Sequence, residues 1–481
     1  MWSTPDKEST SGDGLSTDLE RSLQQEKENV NSEPSPPPDG GFQAWLHAFL
    51  MHIVFFNTWG VLQPLVADGP QPQFTPLCPA LAVGSLFIRT WRNQAPPSSL
   101  QALIISGVAN GFGVFQQYYS QTLDETNSAI SMIGSVQIFF LFSVGVIAGR
   151  LTDAGHFRPI FACGVFLQVL GLMMTSLGTK YWQIFLAQSV CLGLGNGCTF
   201  CPALAVLSQY FKKYRAFAVG LAAAGAAVGG LVYPVLINWL IFYDNTGFPW
   251  TLRTMGFLML ATYVPCLIWF KPRLPPRPSG PWIDTTAFKE LPFIFFSMSM
   301  FLNFWGLYFA FFYLGTFARD RIGISEPIYL LMILNGVGIF GRIMPTIAAD
   351  KWTGMLNMLI PISFAASLLC YCWAAVETSA GLYVFAIIYG WIAAALQALF
   401  PAVATTMTPD PSRTGTRVGM ILGIVSFSNL TGPAICGAII NKQGGKYLGA
   451  EMFAASSILL GAVMALAARI AKTGLVLKVK V

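Results

Sequence analysis

Apolar residues fall along most of this chain in runs of about 20, separated by short polar or Pro/Gly-rich breaks. A helix rising about 1.5 Å per residue needs a run of that length to cross a hydrocarbon layer of ~30 Å. The pattern predicts helices near 43–60, 128–149, 159–178, 182–207, 216–240 and 251–270. A second set follows near 291–315, 326–348, 355–376, 381–405, 417–440 and 447–470. Residues 271–290, Pro-rich and basic, read as a linker between two bundles, 42–270 and 291–470. The expected fold class is an all-α polytopic membrane protein with twelve transmembrane helices in two pseudo-symmetric six-helix bundles.

The two sets repeat. Pro202-Ala-Leu-Ala returns as Pro401-Ala-Val-Ala, Val219-Gly220 as Val418-Gly419 and Pro234 as Pro433, each 199 residues later. Asp153 and Asp350 match at 197. Equal offsets across two helices imply duplicated halves with a substrate path at their interface. The first helix breaks this register: Asn57-Thr-Trp-Gly60 pairs with Asn303-Phe-Trp-Gly306 at 246, an excess of 47. Removing 61–107, which has scattered prolines and no helical period, joins Gly60 to Val108 in one apolar span. The segment reads as a translated intron or similar gene-model error. The rival reading is a genuine extracellular insertion in helix 1, disfavoured because a Pro-rich loop interrupting a buried span is costly.

Charged residues make up only 10% of the chain, against roughly a quarter in water-soluble domains. Much of the outer surface must therefore face the lipid bilayer. The net charge of +6 divides unevenly: residues 1–40 hold nine acids and three bases, and the remainder +12. That tail, 1–41, is rich in Ser, Pro and Gln and is expected to be disordered. It has no short basic n-region, so the first span does not read as a cleaved signal. The bases flank apolar spans and form no polar domain, which argues against nucleic acid as a partner. Their bias places Arg150, Arg158, Lys212, Lys213, Arg215, Lys271, Arg273, Lys351, Arg413 and Arg417 in the cytoplasm with both termini, the C-terminal tail being 471–481.

Nine cysteines sit mostly in apolar runs, and Cys198-x-x-Cys201 lacks a second ligand pair. His47, His52 and His156 have no metal-ligand spacing, and no Ser–His–Asp set or phosphate loop accompanies them. These features point to no metal, no cofactor and no enzyme.

Gly149-Arg-Leu-Thr-Asp153-Ala-Gly155-His-Phe-Arg158 joins helices 2 and 3. Its glycines allow close helix approach, and its acid beside bases suits a charge lock that breaks as the halves rock. It resembles the loop signature of the major facilitator superfamily. The second copy, Gly341-Arg342 through Asp350-Lys351, is degenerate. Arg150, Asp153, Arg158, Asp350 and Lys351 are the expected gating residues; the plainer reading is interfacial charges that set topology. Glycines 220, 225, 229 and 230 in helix 5 read as packing positions.

Asp39-Gly-Gly-Phe-Gln-Ala-Trp45 and Tyr210-Phe-Lys-Lys-Tyr-Arg-Ala-Phe-Ala-Val-Gly220 resemble the paired signatures of the monocarboxylate porter family, in its fungal branch. The resemblance covers 39–60 and 108–470. It implies transport of small organic acids or related solutes, often proton-coupled; similar fungal carriers also take up vitamins or export secondary metabolites. The family places an anion-binding arginine at the position of Arg342, a costly residue inside a span unless it meets a partner or ligand. A snorkelling helix end is the alternative. Animal lactate carriers have an aspartate four residues earlier, where this chain has Gly338, and a helix 1 lysine where the matching region holds Asn110. Asn57, Asn110, Tyr118, Asn303 and Trp305 are further candidates for lining a substrate cavity, although each also suits a helix–helix contact.

The function expected is secondary active transport of a small organic molecule, a monocarboxylate or related acid, by alternating access in the plasma membrane. Efflux of a fungal secondary metabolite is the alternative. A transporter-derived nutrient sensor is a further one, disfavoured because such sensors carry a long cytoplasmic domain.

Overall fold

The computed structural model describes residues 37–60, 127–238, 240, 247–275, 283–324, 328–407 and 413–474. The segment 61–107, with Asn110 and Tyr118, lies outside them. Twelve helices run through the described residues, without strands. The first half holds α1 (Gly41–Gly60), α2 (Asn127–Ser143, continued as Gly145–Asp153), α3 (Phe157–Thr175), α4 (Tyr181–Tyr210), α5 (Arg215–Asn238) and α6 (Phe248–Trp269). The second holds α7 (Leu291–Phe317), α8 (Ile328–Ala348), α9 (Met355–Trp373), α10 (Ser379–Thr406), α11 (Thr414–Lys442) and α12 (Leu448–Thr473).

Burial sorts inner helices from outer ones. The α4 span is 78% buried within the protein, whereas α3 and α6 are each 39% buried. The exposed residues of the outer pair include Phe166, Phe257, Val264 and Ile268, apolar side chains suited to lipid. Since lipid is as apolar as leucine, helix association here depends on close packing rather than on exclusion of water. Small residues supply it where the halves meet. Gly145 and Gly149 of α2 face Gly419 and Gly415 of α11, and a Cβ at Gly415 would stand 2.5 Å from the Gly149 carbonyl oxygen. On the other side of the bundle, Gly220 of α5 lies on the Arg342 carbonyl of α8, 2.6 Å from where its own Cβ would be.

The linker is more ordered at its far end than its proline content suggests. Ala287–Lys289 forms one 3-10 turn, and Asp284 is buried. Loops α2–α3, α4–α5, α8–α9 and α10–α11 share one end of the bundle with this linker, called the linker end below.

Gly415→Val should force α2 and α11 apart and cost about 1–3 kcal/mol. A lowered melting temperature in detergent would register this; an unchanged one would mean the crossing tolerates a side chain.

Candidate functional site

A narrow cavity opens between the halves, with about 30 Å³ available to the centres of water molecules, enough for a few waters. Its two walls differ. Phe55 and Trp59 of α1, Phe142 of α2, Phe200 of α4, and Ala223 and Ala226 of α5 form an aromatic and apolar wall. The helical spacings 55/59 and 223/226 put each pair on one face. Across from them, Phe304 and Tyr308 of α7, Arg342 of α8, and Gln397, Phe400 and Pro401 of α10 bring the polar groups.

Arg342 is 2% exposed. Its Nη2 donates to Gln397 Oε1 at 2.9 Å. Its Nη1 lies over Gly338, 2.8 Å from where a Cβ would stand, so the absent side chain at 338 is what lets the guanidinium fold back along α8. Among the described residues no carboxylate forms an ion pair with it. Gln397 Nε2, the Tyr308 hydroxyl and Trp59 Nε1, all in the lining, are buried without a hydrogen-bond partner among the described residues. A buried donor left unmade costs about 1–3 kcal/mol. Three of them beside a guanidinium suit a group rich in acceptors and negatively charged, with aromatic rings to hold its apolar body.

Of the other sequence candidates, Asn57, Asn303 and Trp305 are described and are not part of this lining. Asn57 accepts from the Tyr233 hydroxyl at 2.6 Å and donates to Thr262 Oγ1 at 3.0 Å, joining α1 to α5 and α6. Asn303 donates to the Ser299 carbonyl at 2.9 Å and packs on Gly461 of α12. Trp305 Nε1 donates to Thr431 Oγ1 of α11 at 3.0 Å. Gln397 was open to sequence reading, being the only amide side chain in the apolar run of α10.

At the linker end each half reaches into the other. Asp153, ending α2, accepts from the Gly415 N–H at 3.0 Å and from the Thr416 N–H and hydroxyl, both at 2.7 Å, at the start of α11. Asp350, in the π turn after α8, accepts from the Ala216 and Phe217 N–H groups at 3.1 and 2.7 Å, at the start of α5. The two contacts are copies: Ala216 and Phe217 precede Gly415 and Thr416 by the 199-residue repeat. Each carboxylate meets the unpaired amides and positive end of a helix dipole. Arg150 is buried beside Asp153 in the same turn, while Arg158 and Lys351 are exposed at this end.

The residues 98–388 match the family model described as the Major Facilitator Superfamily. The chain is 37% identical over 460 residues to an MFS-type transporter of Gibberella zeae, covering 95% of this chain and 93% of that protein. The chain belongs to the major facilitator superfamily. It is thus an integral multi-pass membrane transporter of small molecules rather than an enzyme. The facilitator is also 35% identical to the aspyridones efflux protein of Emericella nidulans, over 76% of this chain and 74% of that one. It is 33% identical to the agnestins efflux protein of Paecilomyces divaricatus, over 85% and 91%. Among solved structures, the human organic anion transporter MFSD10 has a TM-score of 0.62 at 12% identity, over 88% of this chain and 99% of its own. The transporter FucP gives 0.61 at 14% identity, with the same shares of the two chains. At such identities the solved structures show the facilitator fold alone.

Burial pushes the Asp350 carboxyl up to about 6, opposed by the Phe217 and Ala216 amides and by Arg215, and reinforced by Asp39. Once the helix ends part and water returns, its value falls toward the ordinary ~3.9. The docked form therefore binds the proton more tightly, and docking strengthens as pH falls through about 6. Spin labels at His156 and Trp352, on opposite halves of the linker end, should show more of the short-distance population at pH 5 than at pH 7. Asp350→Asn should flatten that dependence; a slope that survives the substitution would assign it elsewhere.

Proposed function

We propose that this facilitator is a secondary active exporter of small organic acids with an apolar or aromatic body. It works by alternating access in the plasma membrane, with the linker end in the cytoplasm. The observation that carries this reading is Arg342, buried between the halves with a neutral amide as its hydrogen-bond partner. With no carboxylate paired to it among the described residues, this buried cation is poorly compensated, and a carboxylate arriving as substrate supplies a partner. The aromatic wall opposite accommodates the substrate's apolar part. The space between the walls holds only a few waters, so the halves would have to separate to admit cargo.

Export is supported by the similarity to the aspyridones and agnestins efflux proteins. The orientation is supported by the excess of Lys and Arg at the linker end. Asp153 and Asp350 act as the cytoplasmic gate, holding that side shut in the present conformation. A second reading, proton-coupled uptake of small monocarboxylates, is favoured by the paired signatures at Asp39–Trp45 and Tyr210–Gly220.

Vesicles loaded with a panel of labelled aromatic acids, their neutral esters and small monocarboxylates would separate these readings. Arg342→Ala should weaken handling of the acids about ten- to hundredfold, the worth of a charged hydrogen bond, and leave ester transport unchanged. Arg342→Lys should restore only part of it, because the planar fork is lost. Undiminished acid transport in Arg342→Ala would overturn the site, and activity confined to lactate-sized acids would favour the second reading.

A further inference from the structure

Arg417, in the first turn of α11, is 4% exposed and is held from three sides. Its Nε donates to Asp284 Oδ2 at 3.0 Å, its Nη1 to Glu290 Oε2 at 2.9 Å and its Nη2 to Glu290 Oε1 at 2.7 Å. Arg413, at the N-cap of α11, adds an ion pair to Asp284 at 3.6 Å. Asp284 lies in the linker just ahead of its 3-10 turn, and Glu290, the linker's last residue, is the N-cap of α7. The residues immediately before Arg417 are Gly415 and Thr416, whose N–H groups receive Asp153. The linker thus grips α11 one residue from its contact with the opposite half.

We infer that Asp284 and Glu290 are positioning residues for the gate: through Arg417 they fix the α11 start so that its free amides meet Asp153. Neither acid touches the first half's α2. Both act by setting where the helix end stands, and a bidentate carboxylate–guanidinium pair holds orientation as well as distance. Burial works to raise the Asp284 carboxyl, but the Thr286 hydroxyl and Arg417 hold it below the usual range, so it remains charged at neutral pH.

The first half carries a counterpart, which supports the reading independently. Asp39, just ahead of α1, accepts from the Lys212 and Lys213 N–H groups, the latter at 2.6 Å. These lie in the turn before α5, whose amides receive Asp350. Asp39 stands ahead of α1 much as Asp284 stands ahead of α7, at a separation of 245 residues against 246 for the Asn57–Asn303 pair. In each half an acid before the first helix restrains the turn or start of the fifth, and the fifth receives an acid from the other half.

The inference rests on the gate reading above, and its test separates the two. Full-length protein in nanodiscs, with exposed Cys163 and Cys372 changed to serine, is spin-labelled at His156 and Trp352. Glu290→Gln is the variant of choice because Glu290 is 37% exposed and its loss leaves no buried charge in its own place; Asp284→Asn is the second. Each should raise the open population at the linker end roughly five- to tenfold, a charged pair discounted for its exposure. In an Asp153→Asn background, which itself opens the gate, neither should add a further effect, because the cycle is non-additive when one group acts through another. Transport by Glu290→Gln should change in turnover with KM unchanged. If Asp153→Asn leaves the distances alone, the gate reading fails. If it opens the gate while Glu290→Gln and Asp284→Asn do not, or if they add to it independently, the positioning role fails.

Discussion

A helix start leaves amides without partners, and this protein uses that constraint to join its halves. Asp153 and Asp350 each span from one half to the first turn of a helix in the other, so the contact is between a carboxylate and backbone donors fixed by the helix itself. Such donors cannot follow a retreating acid as a lysine or arginine side chain could. The contact is made or lost within a small displacement, which suits a gate with two positions. Glycines at the α2–α11 crossing are a precondition, since the Gly149 and Gly415 backbones must touch before Asp153 can reach.

The cavity shows the duplicated halves diverging in chemistry while keeping their architecture. The first half contributes rings and alanines; the second contributes Arg342, Gln397 and Tyr308. The amphipathic cargo proposed above would satisfy both walls in one orientation only. Gly338 is central to that difference: its missing Cβ gives Nη1 its place, and the guanidinium turns to the neutral Gln397. A carboxylate at 338 would compete with a substrate anion for the same cation. Under the proposed function its absence would leave that role to the cargo.

Helix positions and the halving of the chain were legible in the sequence because apolar run length and the 199-residue repeat are direct consequences of the fold. The burial of Arg342 was legible for a related reason: a guanidinium inside a span is costly unless it turns inward to a partner, as it does toward Gln397. Asn57 and Asn303 show where this reasoning stops. Polarity within a span signals burial against something polar, but not whether that is a cavity or another helix, and both are engaged in helix contacts. The partners of Asp153 and Asp350 were invisible for a deeper reason, since backbone amides carry no residue signature. Arg417 was read as one of many topology-setting bases, because nothing in its neighbourhood announces that Asp284 and Glu290, more than a hundred residues away, converge on it.

Site and gate are also mechanically continuous. The carbonyl of Arg342 accepts from Thr346 Oγ1 at 2.9 Å, and Gly220 of α5 packs on that same carbonyl and hydroxyl. Eight residues further along, about 12 Å at helical rise, Asp350 holds the start of the same α5. The backbone of Arg342 thus forms part of the α5–α8 crossing that Asp350 fastens at its end. Under the proposed function, an anion that draws the guanidinium away from Gln397 would load α8 at the point where it bears on α5. Pro345 stands between the two contacts, and Asp350 itself lies in the π turn Ala349–Thr353. On the same reading it is therefore a slide of the whole α8 segment along α5 that would reseat Arg342 and displace Asp350 from the amides of Ala216 and Phe217. On that proposal, occupancy at the centre and opening at the end would be two readings of one displacement of α8 against α5.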